Sequence, residues 1–206
     1  MLEIAVQNTG ATMPEAALTA ALGRRSIVLV GMMGAGKSSI GRRLAVRLNL
    51  PFVDADTEIE KAASMTIPEI FTAHGEAYFR AGEARVIARL LESGPQVLAT
   101  GGGAFMNPET RAVIHVKGIS IWLNATLEIL MRRVKRRADR PMLAGPDPVE
   151  ALTRLVEERY PVYAEAELTV ESRDMPHETI VAEIIAKLCS HASLAGGADN
   201  AEARGQ

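Results

Sequence analysis

The segment Gly31-Met32-Met33-Gly34-Ala35-Gly36-Lys37-Ser38 constrains this chain more than any other. It satisfies the pattern G-x-x-x-x-G-K-S in full, and its flanks fit. The β-branched run Ser26–Val30 reads as a strand before it, and residues 37–49, with Ile40, Leu44 and Leu48 four residues apart, read as a helix after it. The glycines let the backbone wrap round phosphate oxygens where side chains would clash. Consecutive N–H groups and the positive end of the helix supply fixed partial charge. Lys37 is therefore expected to reach the β- and γ-phosphates of a nucleotide, and Ser38 to ligate Mg²⁺. The motif marks a nucleotide site but leaves the phosphoryl acceptor open.

The rest of the chain alternates short apolar strands with helical stretches. Strands are expected at 51–53, 96–100, 119–123 and 168–170, and helices at 66–71, 75–91, 126–137, 148–159 and 176–188. Thr66 and Glu69 have capping-box spacing at the start of one of these helices. Residues 138–148, rich in Pro, Gly and Asp, read as a loop. This order predicts an α/β fold with a mainly parallel sheet, whose ligands sit beyond the carboxyl ends of the strands. Four strands end at Gly31, Asp54, Gly101 and Asn124, which draws attention to that edge. With 206 residues, one domain over 25–189 is expected, with an N-terminal extension 1–24 holding a short helix near 14–22 and a disordered tail 190–206.

Composition narrows the partners. The formal net charge is −2, so no global basic field recruits nucleic acid or anionic lipid, and a small anionic substrate needs a local cluster of positive charge. The single cysteine, Cys189, forms no intrachain disulfide and no metal-ligand spacing, which suits a reducing compartment. No segment approaches the ~20 apolar residues of a membrane span. Glu3 follows Met1 closely with no early Lys or Arg, unlike a secretory signal. A soluble cytoplasmic protein is expected, without membrane or nucleic-acid partners.

Candidates for the acceptor side follow. In Asp54-Ala55-Asp56, an extended backbone would point both carboxylates the same way, one to position Mg²⁺ through water and the other to take a proton from an attacking hydroxyl. Arginine suits a substrate carboxylate because its planar fork binds it bidentately. Arg80, beside two aromatics, and Arg159, before Tyr160 and Pro161, are the candidates, although Arg80 also has i,i+4 spacing to Glu76. Gly101-Gly102-Gly103 makes sense where a ligand approaches the main chain closely, or as a flexible turn. The run Arg132, Arg133, Lys135, Arg136, Arg137, Arg140 admits three readings: nucleic-acid binding, a solvated helix face, or arginines folding over ATP phosphates with the adjoining loop as the moving part. No glutamine stands out as a water-orienting residue, since Gln96 falls inside a strand.

Taken together, these motifs make the chain similar to the shikimate kinase family over residues 26–188. The resemblance rests on 31–39, Asp54-Ala55-Asp56, Gly75-Glu76 with Phe79-Arg80, 101–103, Arg140-Pro141-Met142-Leu143, and Arg159 with Pro161 and Tyr163. It implies a P-loop kinase fold, a five-stranded parallel sheet flanked by helices with a mobile lid. The implied reaction moves the γ-phosphoryl of ATP to the 3-hydroxyl of shikimate, on the route to chorismate and the aromatic amino acids. By the same resemblance, Asp56, Lys37 and Arg140 are the catalytic residues, Asp56 being the hydroxyl ligand and base. Gly34, Ala35, Gly36, Lys37, Ser38, Ser39, Arg133, Arg140 and Arg173 hold ATP, with Arg133 packed on adenine. Asp56, Arg80, Gly101, Gly102, Gly103 and Arg159 hold shikimate, and Ser38 and Asp54 hold Mg²⁺. A monomer is expected. The chain departs from the family pattern in its extension before Arg24, in Met142 where leucine is commoner, and in Asp174 where an adenine-loop arginine stands two residues before a proline, so that Arg173 takes that assignment. The alternatives are a related small-molecule kinase, such as a gluconate kinase, and a non-catalytic nucleotide-binding module.

Overall fold

The computed structural model describes residues 15–135 and 148–202. The expected lid, including Arg140, Pro141, Met142 and Leu143, lies outside the described residues.

Five strands, β1 (Ser26–Val30), β2 (Phe52–Asp54), β3 (Val97–Ala99), β4 (Gly118–Asn124) and β5 (Leu168–Glu171), form one sheet in the order β2-β3-β1-β4-β5. Every pairing is parallel. β1 is buried along its whole length because helices cover both faces, and this accounts for its unbroken apolar sequence. The chain passes from β1 to the two strands on one side and then crosses to β4 on the other. A crevice opens at that switch, outside the carboxyl ends of β1, β3 and β4.

The helices are α1 (Glu15–Leu22), α2 (Lys37–Leu48), α3 (Ala55–Ala63), α4 (Ile67–Glu92), α5 (Pro108–Lys117), α6 (Leu127–Lys135), α7 (Pro148–Tyr163) and α8 (His177–Glu202). The two helices expected at 66–71 and 75–91 are the limbs of α4, bent at Gly75, whose φ of 78° and ψ of 174° are not helical. The capping box forms as expected: Thr66 and Glu69 satisfy each other's backbone N–H groups. α3 and α5 are additions to the sequence reading. Each starts from a side-chain cap, Asp54 for α3 and Asn107 for α5. α7 runs on through Pro161 to Tyr163. α8 runs on from His177 to Glu202, past the helix end expected at Leu188.

α1 falls within the expected extension. It lies against α2 and α8, with Leu18 and Leu22 in the core. Thr19 donates to the Leu48 carbonyl at 3.2 Å, and Glu15 pairs with Arg47 of α2.

Candidate active site

The phosphate loop runs from β1 into α2. Gly31 has a φ of 131° and Gly36, which caps α2, a φ of 97°, both in territory that side-chain-bearing residues rarely enter. A Cβ at Gly31 would also stand 2.8 Å from the Leu123 carbonyl oxygen, so the loop is pressed onto β4. Lys37 folds over the loop, its Nζ donating to the carbonyls of Gly31 at 2.7 Å and Met32 at 3.0 Å. Ser38 Oγ donates to Asp54 Oδ2 at 2.7 Å, which ties the loop to the end of β2.

Asp54 has a second task. Its Oδ1 accepts the N–H of Asp56 at 3.2 Å and caps α3. The extended backbone expected for Asp54-Ala55-Asp56 is therefore absent: Asp56 sits in the first turn of a helix, because an aspartate cap satisfies helix N–H groups that an extended chain would leave to water. Asp54 and Asp56 nevertheless line one cavity of about 410 Å³, together with Lys37, Ser38, Ser39, Gly34, Gly36, Thr100, Gly102, Arg133 and His177.

Two of the three glycines after β3, Gly101 and Gly103, are explained by proximity and not by backbone angle, whereas a Cβ at Gly102 would meet only ordinary contacts at 3.4 Å and beyond. A Cβ at Gly101 would lie 2.6 Å from Glu83 Oε1 and 2.8 Å from Asp56 Oδ1, and one at Gly103 would lie 2.6 Å from Arg80 Cζ. Acidic and basic groups from α3 and α4 thus press directly on this strip of main chain. From the other side, Arg159 of α7, only 5% exposed, donates Nη1 to the Gly102 carbonyl at 3.1 Å. One turn later Tyr163 also donates its hydroxyl to that carbonyl. Burial pushes the Tyr163 phenol up to about 12, further from the neutral range in which it is already a donor.

Arg80 pairs with Glu83 at 2.7 Å and with Glu76 at 3.1 Å. The pair with Glu83 is not symmetric. Burial of Glu83 outweighs the attraction of Arg80, and with help from Asp56 it moves the carboxyl above its ordinary range. Burial works against the Arg80 charge as well, but the two glutamates more than offset it and hold the guanidinium above its usual pKa. Glu83 Oε1 and Arg159 Nε are both buried with no hydrogen-bond partner among the described residues.

Arg133 of α6 spends the edge of its guanidinium on the protein itself. Nη1 donates to Ser172 Oγ at 2.9 Å and to the Gly34 and Ala35 carbonyls at 3.3 and 3.4 Å, and Nη2 donates to the Arg173 carbonyl at 2.8 Å. Ser172 Oγ donates in turn to the Ala35 carbonyl at 2.7 Å. Arg173 itself is exposed, and the residue of this region that lines the cavity is His177.

The structure thus gathers Lys37, Ser38, Asp54, Asp56, Arg133, Arg159, Arg80 and the glycine strip at the carboxyl edge of the sheet. Sequence reasoning gave no role to Glu83, Tyr163, Ser172 or His177. Glu83 had a signal, its i+3 spacing from Arg80, and Tyr163 its one-turn spacing from Arg159. Ser172 and His177 had none, because their neighbours come from distant parts of the chain.

The shikimate kinase family model matches residues 33–189. A shikimate kinase of Bradyrhizobium diazoefficiens is 67% identical over 178 residues, which is 86% of each chain. The chain belongs to the shikimate kinase family. A second family member, from Rhodopseudomonas palustris, is 64% identical over 87% of this chain and 88% of its own. Among solved structures, the shikimate kinase of Acinetobacter baumannii in complex with shikimate is similar at a TM-score of 0.80 and 36% identity, covering 84% of this chain and 98% of its own. Use of ATP follows from membership of this kinase family. Among the described residues, no helix is long and apolar enough to cross a membrane.

Proposed function

We propose that this chain transfers the γ-phosphoryl of ATP to the 3-hydroxyl of shikimate, yielding shikimate 3-phosphate and ADP. The observation that carries this reading is the continuity of the cavity edge: a phosphate loop with Lys37 and Ser38, then Asp56, then the Gly102 carbonyl held by the buried Arg159. A hydroxyl bound at Asp56 stands between the phosphoryl donor and a carboxylate-binding end.

In this mechanism the loop N–H groups and Lys37 bind and orient the β- and γ-phosphates. Asp56 accepts a hydrogen bond from the attacking hydroxyl, which forms the new bond to the γ-phosphorus as the bond to the ADP oxygen breaks. The hydroxyl proton passes to the Asp56 carboxylate. Arg80 and Arg159 clamp the substrate carboxylate, and the unpartnered Arg159 Nε gives that carboxylate a donor to satisfy. Gly101 to Gly103 let the ring lie close to the main chain. Arg140, outside the described residues, contributes charge to the phosphates.

Ser38 and Asp54 present two hard oxygen donors in contact at 2.7 Å, and among the described residues no cluster of three metal-ligating His, Cys, Asp or Glu exists. This fits Mg²⁺, which keeps waters and substrate phosphate oxygens in its shell and does not need an all-protein cage. Bound there, it would neutralise charge on the β- and γ-oxygens.

We further read 25–189 as the catalytic domain, acting as a cytoplasmic monomer. A coupled ADP-release assay tests the central claim. Release dependent on shikimate, with quinate as a poor substitute, is expected; release with sugar acids such as gluconate in place of shikimate would favour the rival kinase.

A further inference from the structure

Tyr163, the last residue of α7, is wholly buried, and its hydroxyl stands where three parts of the site meet. It donates to the Gly102 carbonyl, and the sulfur of Met32 in the phosphate loop lies 3.9 Å from the same hydroxyl oxygen. Arg159, one turn earlier, donates Nη1 to that carbonyl at 3.1 Å, so the two side chains of α7 meet at one oxygen. Gly102 also lies against the phosphate loop: a Cβ there would stand 3.4 Å from the Met33 nitrogen and 3.8 Å from the Gly31 carbonyl oxygen. The ring of Tyr163 is fixed by Phe105, Trp122 and Tyr160, with centroids 6.5, 6.0 and 6.3 Å away. A phenylalanine would fill the same apolar slot with no polar atom to bury, so packing does not account for the hydroxyl.

We propose that Tyr163 is a positioning residue for phosphoryl transfer: its hydroxyl holds the Gly102 carbonyl and Arg159 in register with the phosphate loop, and so sets the distance between the acceptor and the γ-phosphate. The inference rests on the kinase reading of this cavity. A carbonyl oxygen has two lone pairs, and here Tyr163 and Arg159 occupy both. Without the hydroxyl, the strip is held on this side by Arg159 alone, which must also face the substrate carboxylate. The strip and the clamp then shift together. The phosphate loop keeps its own ties from Lys37 to the Gly31 and Met32 carbonyls, so nucleotide binding does not depend on the phenol.

The test compares Tyr163→Phe, which keeps the ring and removes only the hydroxyl, with Leu22→Ala, which opens the core under α1, outside the cavity. Steady-state kinetics with ATP and shikimate are measured well below the melting temperature of each protein. In Tyr163→Phe, kcat falls by about 10- to 100-fold, as for a misplaced acceptor. The KM for shikimate rises by a smaller factor, the KM for ATP stays within about twofold of wild type, and the melting temperature changes by only a few degrees. Leu22→Ala loses at least as much melting temperature and keeps kcat within about twofold. Full kcat in Tyr163→Phe, or an equal fall of kcat in both variants, would overturn the inference alone. Failure of the wild type to release ADP with shikimate would overturn the kinase reading, and the inference with it.

Discussion

Glu83 meets Arg80 at 2.7 Å across one turn of α4, and it does so from a nearly sealed position, with its side chain 3% exposed against 25% for the arginine. The buried partner thus fixes the direction of the more accessible one. Arg80 is aimed at Gly103 by a carboxylate that water scarcely reaches.

Arg80→Ala should therefore raise the KM for shikimate by about 10- to 100-fold, the size of a charged hydrogen bond, while the KM for ATP stays near wild type. Glu83→Gln should move the same parameter less. It keeps a hydrogen-bonding oxygen but removes the charge. Unchanged shikimate kinetics in Arg80→Ala would reduce the arginine to a partner of Glu76 and Glu83.

Asp56→Asn should lower kcat by about 10²- to 10⁴-fold, because the amide occupies the same space but accepts no proton. ADP binding, measured by calorimetry, should be nearly intact, since the role proposed for Asp56 is toward the acceptor hydroxyl.

Gly101→Ala places a methyl group against Glu83 and Asp56 together, at separations that would be 2.6 and 2.8 Å before adjustment. Glu83 Oε1 and Asp56 Oδ1 are both ends of side chains, so the fold should survive while the carboxylates shift. We expect kcat/KM for shikimate to fall by about 10²-fold, as for an ångström-scale misplacement, with the melting temperature changed by only a few degrees.

The raised pKa of Glu83 carries a pH signature. In the folded protein the carboxyl holds its proton to higher pH than in the unfolded chain. Between the ordinary glutamate pKa of 4.5 and the raised folded value, the folded state binds more protons, so the stability that Glu83 contributes is full below 4.5 and is lost as pH rises through the folded value. Glu83→Gln has no such loss. Denaturant titrations from pH 4 upward should show the wild type falling relative to the variant by about 1.4 kcal/mol for each unit of upward shift. A constant difference across that range would contradict the assignment.

Much of the fold was legible because its signals are local. The strand before Gly31, the helix after it and the Thr66–Glu69 capping box each depend on residues a few positions apart, and each forms. α3 stayed hidden because the spacing Asp54-Ala55-Asp56 does not tell a ligand pair from a helix cap, and the Asp54 side chain caps a helix. The helices expected at 66–71 and 75–91 both form, as the two limbs of α4 that meet at the non-helical Gly75.

The site was legible where a motif has fixed spacing, as in 31–38. It was obscure where function depends on contacts across the chain. Glu83 reaches Gly101, Tyr163 reaches Gly102, and Arg133 reaches Ser172; none of these distances is written in sequence separation. The meaning of the three glycines also needed coordinates. Their angles are ordinary, and at Gly101 and Gly103 it is the crowding side chains of Glu83, Asp56 and Arg80 that disfavour a Cβ.

The leucines of α1 lie upstream of both the family match, which starts at residue 33, and the expected domain boundary at 25, yet Leu18 is 0% and Leu22 4% exposed. The expected boundary and mechanical integrity thus draw the edge of this protein in different places. A recombinant version trimmed to residues 25–189 would carry every proposed active-site group and still present an oily scar along α2 and α8, prone to self-association.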